Sequence, residues 1–117
     1  MTATRRPAAP KMREVEEWQP QFLDLAHMLG WQHMHVRRTI GKGRKWTTGT
    51  SVKGWPDLTL WHEGQVRLIF VELKSDDGRL SPDQEVVLAS LDAAGQETYV
   101  FRPSDLELAA RILRRKP

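Results

Sequence analysis

The run Val66-Arg-Leu-Ile-Phe-Val-Glu-Leu-Lys74 constrains this chain more than any other stretch of it. Apolar residues fill it almost without interruption, the pattern of a central strand buried on both faces. It falls well short of the roughly 18 consecutive apolar residues that a membrane span needs. Strand alternation puts Val71 and Leu73 on one face and Glu72 and Lys74 on the other. A carboxylate and an ammonium therefore sit together at the end of the most buried strand.

The segment before it reads as its hairpin partner. Leu58-Thr-Leu-Trp61 is strand-like, and His62-Glu63-Gly64-Gln65 is a four-residue link containing glycine. Pairing across that link brings Asp57 close to Glu72. Two carboxylates at one strand edge suit a hard divalent cation such as Mg²⁺, which takes oxygen ligands and keeps waters that a phosphate can replace. Lys74 adds a cation for an attacking water or for the phosphate itself.

Around this hairpin the sequence predicts a single domain. Val15, Trp18, Phe22, Leu25, Ala26 and Leu29 recur at helical spacing and stop at Gly30. Trp31 to Val36 is a short strand candidate. Residues 37–54 hold four glycines, several Thr/Ser and six basic residues without one acid, which reads as a long cationic loop. Ser81-Pro82-Asp83-Gln84 has the form of a capping box with proline at the first helical position, opening a helix that runs to Gly95. Thr98 to Phe101 is another strand, and Ser104-Asp-Leu-Glu107 repeats the capping pattern before a last helix. The expected order is α–β–β–β–α–β–α, with residues 1–12 a flexible basic arm and 13–117 one domain.

Charge divides the chain. Before Pro56 there are ten Lys/Arg against four Asp/Glu, a balance of +6; from Pro56 onward there are eight against eleven, a balance of −3. The first part calls for an anionic partner, most simply nucleic acid, and the second holds the acidic centre. Arg37, Arg38, Lys42, Arg44, Lys45 and Lys53 are the candidate DNA-backbone contacts. Gly41-Lys-Gly-Arg-Lys45 lacks the spacing and terminal Ser/Thr of a Walker motif, so nothing points to ATP. Without cysteine, disulfide scaffolds, thiolate zinc sites and a cysteine nucleophile are excluded. The N-terminal stretch is basic with no apolar segment behind it, unlike a secretory signal, and a cytoplasmic location is expected.

Two elements together carry a resemblance. Pro56-Asp57 followed by Glu72-Leu73-Lys74 resembles the PD-(D/E)xK nuclease superfamily. Gly54-Trp-Pro-Asp57, Val71-Glu-Leu-Lys74 and Leu80-Ser-Pro-Asp-Gln84, in that order, resemble the VRR-NUC family within it, from about Glu14 to Leu108. The resemblance implies an α/β restriction-endonuclease-like core, a mixed central sheet flanked by helices, that hydrolyses DNA phosphodiesters with Mg²⁺ or Mn²⁺. By position, Asp57 and Glu72 would be metal ligands, the Leu73 carbonyl a further ligand, Lys74 the water-positioning residue and Gln84 a helix residue facing the site. Family members often direct a glutamate from the first helix at the metal, and here Glu14, Glu16 and Glu17 compete without a clear register. Small free-standing members tend to be viral or bacterial, and the implied substrate class is branched DNA such as a four-way (Holliday) junction. Paired cuts in opposed strands would call for a homodimer.

Blander roles compete for several residues. Glu72 and Lys74 alone would make an ordinary surface ion pair, Asp57 a turn residue and Gln84 a capping residue. Trp18, Trp31 and Trp61 are expected in the core, whereas Trp46, beside Arg44 and Lys45, suits stacking on unpaired bases as well as simple packing. His33 and His35 are expected to be ordinary strand histidines, since no third ligand stands at zinc spacing. Two rival functions remain at this level: a non-catalytic DNA-binding module of the same fold, and a sequence-specific restriction-type endonuclease.

Overall fold

A computed structural model describes residues 13–36, 38–40, 46–48 and 52–116. Strands β1 (Gln32–His35), β4 (Leu58–His62), β5 (Arg67–Leu73) and β6 (Glu97–Phe101) form a four-stranded sheet in the order β1-β4-β5-β6. The first three are antiparallel and β6 runs parallel to β5. A parallel neighbour requires a crossover, supplied by helix α2 (Pro82–Ala93). Helix α1 (Gln19–Met28) precedes the sheet and α3 (Leu106–Arg114) follows it. The mixed α/β sheet expected from sequence is present, with β5 between two paired neighbours.

One face of the sheet makes the core. Leu58, Leu60, Ile69, Val71, Leu73 and Phe101 pack with Trp18, Phe22 and Ala26 of the first helical segment, Trp31, and Ala109 and Leu113 of α3. A π-helical turn, Glu14–Trp18, leads into α1. It brings the Trp18 indole N–H to the Phe101 carbonyl at 3.0 Å, at the end of β6. Gly30 ends α1 at φ +91°, and the amides of Gly30 and Trp31 return to the carbonyls of His27 and Ala26. Helix α2 packs against β6, and its buried Gln84 reaches Glu72 of β5.

The far end of β5 is a polar clamp. Buried Arg67 forms a two-pronged pair with Glu97 at 3.0 and 2.7 Å and also donates to Gln65 and to the carbonyl of Ile112. The Gln65 amide donates to the carbonyls of Leu113 and Arg114, and the Trp31 indole also donates to Leu113. The last carbonyls of a helix have no partner within it, and the side chains of Trp31, Gln65 and Arg67 supply donors to those of α3. Arg67 also lies 5.0 Å from the centre of the Trp31 ring.

The structure departs from the sequence reading in four places. Residues 37–54 are not simply a loop, because β2 (Arg38–Ile40) and β3 (Trp46–Thr48) pair antiparallel in a separate two-stranded sheet. Thr39, Ile40, Trp46, Thr47 and Thr48 favour strands, and the neighbouring glycines masked that preference. The β4–β5 turn is Glu63–Val66 rather than 62–65, closed by Val66 at φ +53° with its amide on the Glu63 carbonyl. The last helix is not opened by a Ser104–Glu107 box. Pro103 starts a 3₁₀ turn, Pro103–Asp105, and Asp105 accepts from the Arg102 amide at 2.8 Å, while the Ser104 amide bonds to Asp76. Finally, Trp18 and Trp31 are core residues as expected, but Trp61 shares a sheet face with Thr59, opposite Leu58 and Leu60, and is only half-buried. Trp61 sits at an alternate position of β4, so the period that buries Leu60 turns it away from the core. The expected basic arm, residues 1–12, lies outside the described residues.

Candidate active site

The site lies where β5 ends. The pairs from Leu58↔Val71 to His62↔Arg67, continued by one, set Asp57 opposite Glu72 and by one more set Pro56 opposite Leu73. At that point side chains replace the backbone ladder. The Asp57 amide donates to Glu72 Oε2 at 3.2 Å, and the Leu73 amide donates to Asp57 Oδ2, also at 3.2 Å. Proline has no N–H, so Pro56, fully buried, cannot give the Leu73 carbonyl a ladder hydrogen bond. Two carboxylates thus meet at the end of β5, beside a Leu73 carbonyl that Pro56 cannot reach with a ladder hydrogen bond.

Gln84 and Lys74 complete the surroundings of Glu72. The Ser81 hydroxyl accepts from the Gln84 amide at 3.2 Å and Gln84 Oε1 accepts from the Ser81 amide at 2.9 Å, the capping box expected from sequence. The same Gln84 side chain turns its Nε2 to Glu72 Oε1 at 3.0 Å, so capping and site-facing roles are both filled. Lys74 Nζ stands 3.6 Å from Glu72 Oε1, and the Lys74 amide continues the β5–β6 ladder to the Phe101 carbonyl. The Trp18 indole shares that carbonyl, which ties the first helical segment to the backbone beside the lysine.

Burial and charge set the state of Glu72. Its side chain is only 2% exposed. Desolvation raises its pKa to about 8, with the facing Asp57 carboxylate adding to the rise and the Lys74 ammonium opposing it. Two acids this close hold one negative charge comfortably and two only when a cation compensates. A divalent ion fits the donor set: it suits carboxylate and carbonyl oxygens and would replace the proton that Glu72 otherwise keeps. Asp57, Glu72 and the Leu73 carbonyl are the groups that would hold it.

Of the helix-one acids, Glu16 and Glu17 are engaged by Arg13, at 2.7 and 3.3 Å, on exposed surface, and the Glu14 side chain lies outside the described residues. Among the described residues no group of three or more His, Cys, Asp or Glu side chains is placed to hold a metal. His33 meets His27 rather than His35, with ring nitrogens 2.8 Å apart, and its pKa is lowered by burial first and then by those two histidines. Of the basic set, Lys53 is exposed just before Gly54. Arg38 begins β2, its side chain outside the described residues, as are Arg37, Lys42, Arg44, Lys45 and the Trp46 side chain.

Sequence reasoning did not find the contact made by Gly54. At φ +86° its backbone lies so close to the first turn of α2 that a Cβ would stand 2.4–2.6 Å from the Asp83 carbonyl group and the Gln84 amide nitrogen. The glycine was visible in the sequence, but its partner lies thirty residues away. Arg102 was missed as well: it donates to the Gly78 carbonyl at 2.7 Å and tethers the β5–α2 linker to the start of α3.

Compared with known protein families, residues 5–105 match the model of the VRR-NUC domain. Comparison with curated proteins and with solved structures gave no match. Among the described residues no helix is long and apolar enough to cross a membrane.

Proposed function

We propose that this chain, which belongs to the VRR-NUC domain family and so carries a DNA nuclease domain, is an endonuclease that cuts phosphodiesters with a divalent cation held by Asp57, Glu72 and the Leu73 carbonyl. The observation that carries this reading is the crosswise pairing of Asp57 with Glu72, a buried acid pair with an ammonium and a side-chain amide at one of its oxygens. A non-catalytic binding module has no use for a buried carboxylate whose charge is opposed by desolvation and by a facing carboxylate.

A bound Mg²⁺ or Mn²⁺ supplies positive charge against the phosphate oxygens and the acidity that makes water a nucleophile near neutral pH. Lys74 orients the attacking water or the scissile phosphate from its position beside Glu72 Oε1. Gln84 holds Glu72 in one rotamer by donating to that same oxygen. As the water oxygen bonds to phosphorus, the phosphorus–oxygen bond to the leaving strand breaks and the leaving oxygen takes up a proton. The cations of residues 37–53 bind the DNA backbone, and Trp46, next to Arg44 and Lys45 in the sequence, stacks on an unpaired base.

The substrate class we assign is branched DNA, four-way junctions included, cut by a homodimer that supplies two centres related by a two-fold axis. Incubating the purified chain with linear, flap and four-way DNA, in Mg²⁺, Mn²⁺ or chelator, tests the whole reading. Cleavage of branched DNA that chelator abolishes is the expected result. Tight binding without cleavage in either metal would leave the binding module, and cutting of linear duplex at one sequence would leave the restriction-type enzyme. Light scattering over a dilution series tests the dimer.

A further inference from the structure

Gly54 and Trp55 sit between two parts of the site without belonging to either. We propose that they form a positioning strut for the acid pair, holding the first turn of α2 at the distance from which Gln84 reaches Glu72. This rests on the reading of Asp57, Glu72 and Lys74 as the hydrolytic centre.

The strut has three anchors. The first is the close approach of Gly54 to α2, where the atoms that a Cβ would meet are the carbonyl carbon and oxygen of Asp83 and the amide nitrogen of Gln84. All three are backbone, so no flexible side chain can swing aside to admit a methyl group. The turn they belong to is locked by the reciprocal Ser81–Gln84 hydrogen bonds and moves as a unit. Gln84 Nε2, 3.0 Å from Glu72 Oε1, moves with it.

The second anchor is Trp55, whose ring stands edge-on to Phe70 with centroids 5.7 Å apart and planes at 87°. Phe70 lies two residues before Glu72 on the same face of β5, so Trp55 fixes the height of the strut above the strand that carries the acid. The third is Asp57, whose amide reaches Glu72 Oε2 at 3.2 Å. Two of the three anchors therefore end on the two oxygens of one buried carboxylate. Raising the strut by the width of a methyl group separates Gln84 from Glu72 and leaves the buried carboxylate short of a donor. Neither residue touches the reacting atoms; Gly54 acts through Gln84, and Trp55 sets the height of the strut above β5.

The experiment uses the full chain and a DNA substrate that the wild type cuts in Mg²⁺. Gly54→Ala and Trp55→Ala are expected to lower kcat by about tenfold or more, the usual scale for a residue that orients a metal ligand, with KM and metal-free DNA affinity unchanged. Trp55→Phe should restore kcat. Gly54→Ala placed on Gln84→Ala should add no further loss, because both act through one contact. A folded Gly54→Ala protein with wild-type kcat, an additive double variant, or a loss confined to KM would each overturn the proposal. If Gly54→Ala does not fold, Trp55→Ala decides: its ring is only half-buried, and wild-type kcat there overturns the strut. Glu72→Ala separates the two levels, since cutting by that variant removes the hydrolytic reading itself, whereas a dead Glu72→Ala beside fully active strut variants removes only the strut.

Discussion

Asp57 and Glu72 hold each other crosswise: Glu72 accepts the Asp57 amide, and Asp57 accepts the amide of Leu73, the residue after Glu72. Each carboxylate is fixed by the backbone of the other strand, so the pair keeps its geometry without the cation. The cost of that arrangement appears in the ionisation of Glu72, which burial and then the Asp57 carboxylate resist.

Glu72→Ala is expected to abolish cleavage while leaving metal-free DNA binding intact, because it deletes a metal ligand that, protonated without the cation, carries no charge to repel the phosphates. Lys74→Ala should also lose turnover. Gel-based cleavage and metal-free binding, measured on the same preparations, check both, and wild-type cutting by Glu72→Ala would show that the site is wrongly placed.

Stability of the metal-free chain should fall as pH rises. An unfolded glutamate releases its proton near 4.5, while the folded Glu72 keeps its own to about 8, so between those values the folded state binds more protons and each step up in pH favours unfolding. Melting curves in chelator from pH 5 to pH 8.5 should show a falling Tm across this window. Glu72→Gln should flatten the curve, and Mg²⁺ should raise Tm most at its alkaline end. A Tm in chelator that is level across the window would contradict the burial of this acid.

Much of the site was legible because it is local. Strand alternation put Glu72 beside Lys74, the hairpin placed Asp57 opposite within two residues, and Ser81–Gln84 announced its own cap. What the sequence hid depends on distance or on weak local signals. The turn slipped by one residue because Val66 adopts a left-handed conformation that β-branched residues avoid, and no propensity argument selects it. Trp61 was assigned to the core from its apolar character, while the period of β4 sends it to the other face. The helix-one acids stayed ambiguous because a π-helical turn shifts the register just where they occur.

Arg67→Ala should destabilise the chain by about 3 kcal/mol, the lower end of the cost of breaking a buried pair, because Glu97 is only half-buried and keeps the Tyr99 hydroxyl as a donor. Arg67→Lys should recover little, because one ammonium cannot grip Glu97 with two prongs and still reach the Ile112 carbonyl. Urea denaturation measures both, and a loss under about 1 kcal/mol for the alanine variant would place this pair with exposed ones.

Neutralising Arg44 and Lys45 together should weaken binding to all DNA sequences alike and reduce the salt dependence by about 0.9 in log–log slope for each duplex phosphate contact removed. Titrations at several salt concentrations read this directly. An unchanged slope would make these cations a solubilising surface.

The ribbon of β2 and β3 pairs within itself and forms a sheet apart from the four strands that build the core. Its strands are therefore open to insertion, deletion or exchange with little effect on the register that aligns Asp57 with Glu72. In evolutionary terms the proposed roles divide what is cut from how it is cut: the edge that carries Asp57 and Glu72 is bound to the core by the pairings of the four-stranded sheet, while the ribbon is a part that selection, or an engineer, can replace.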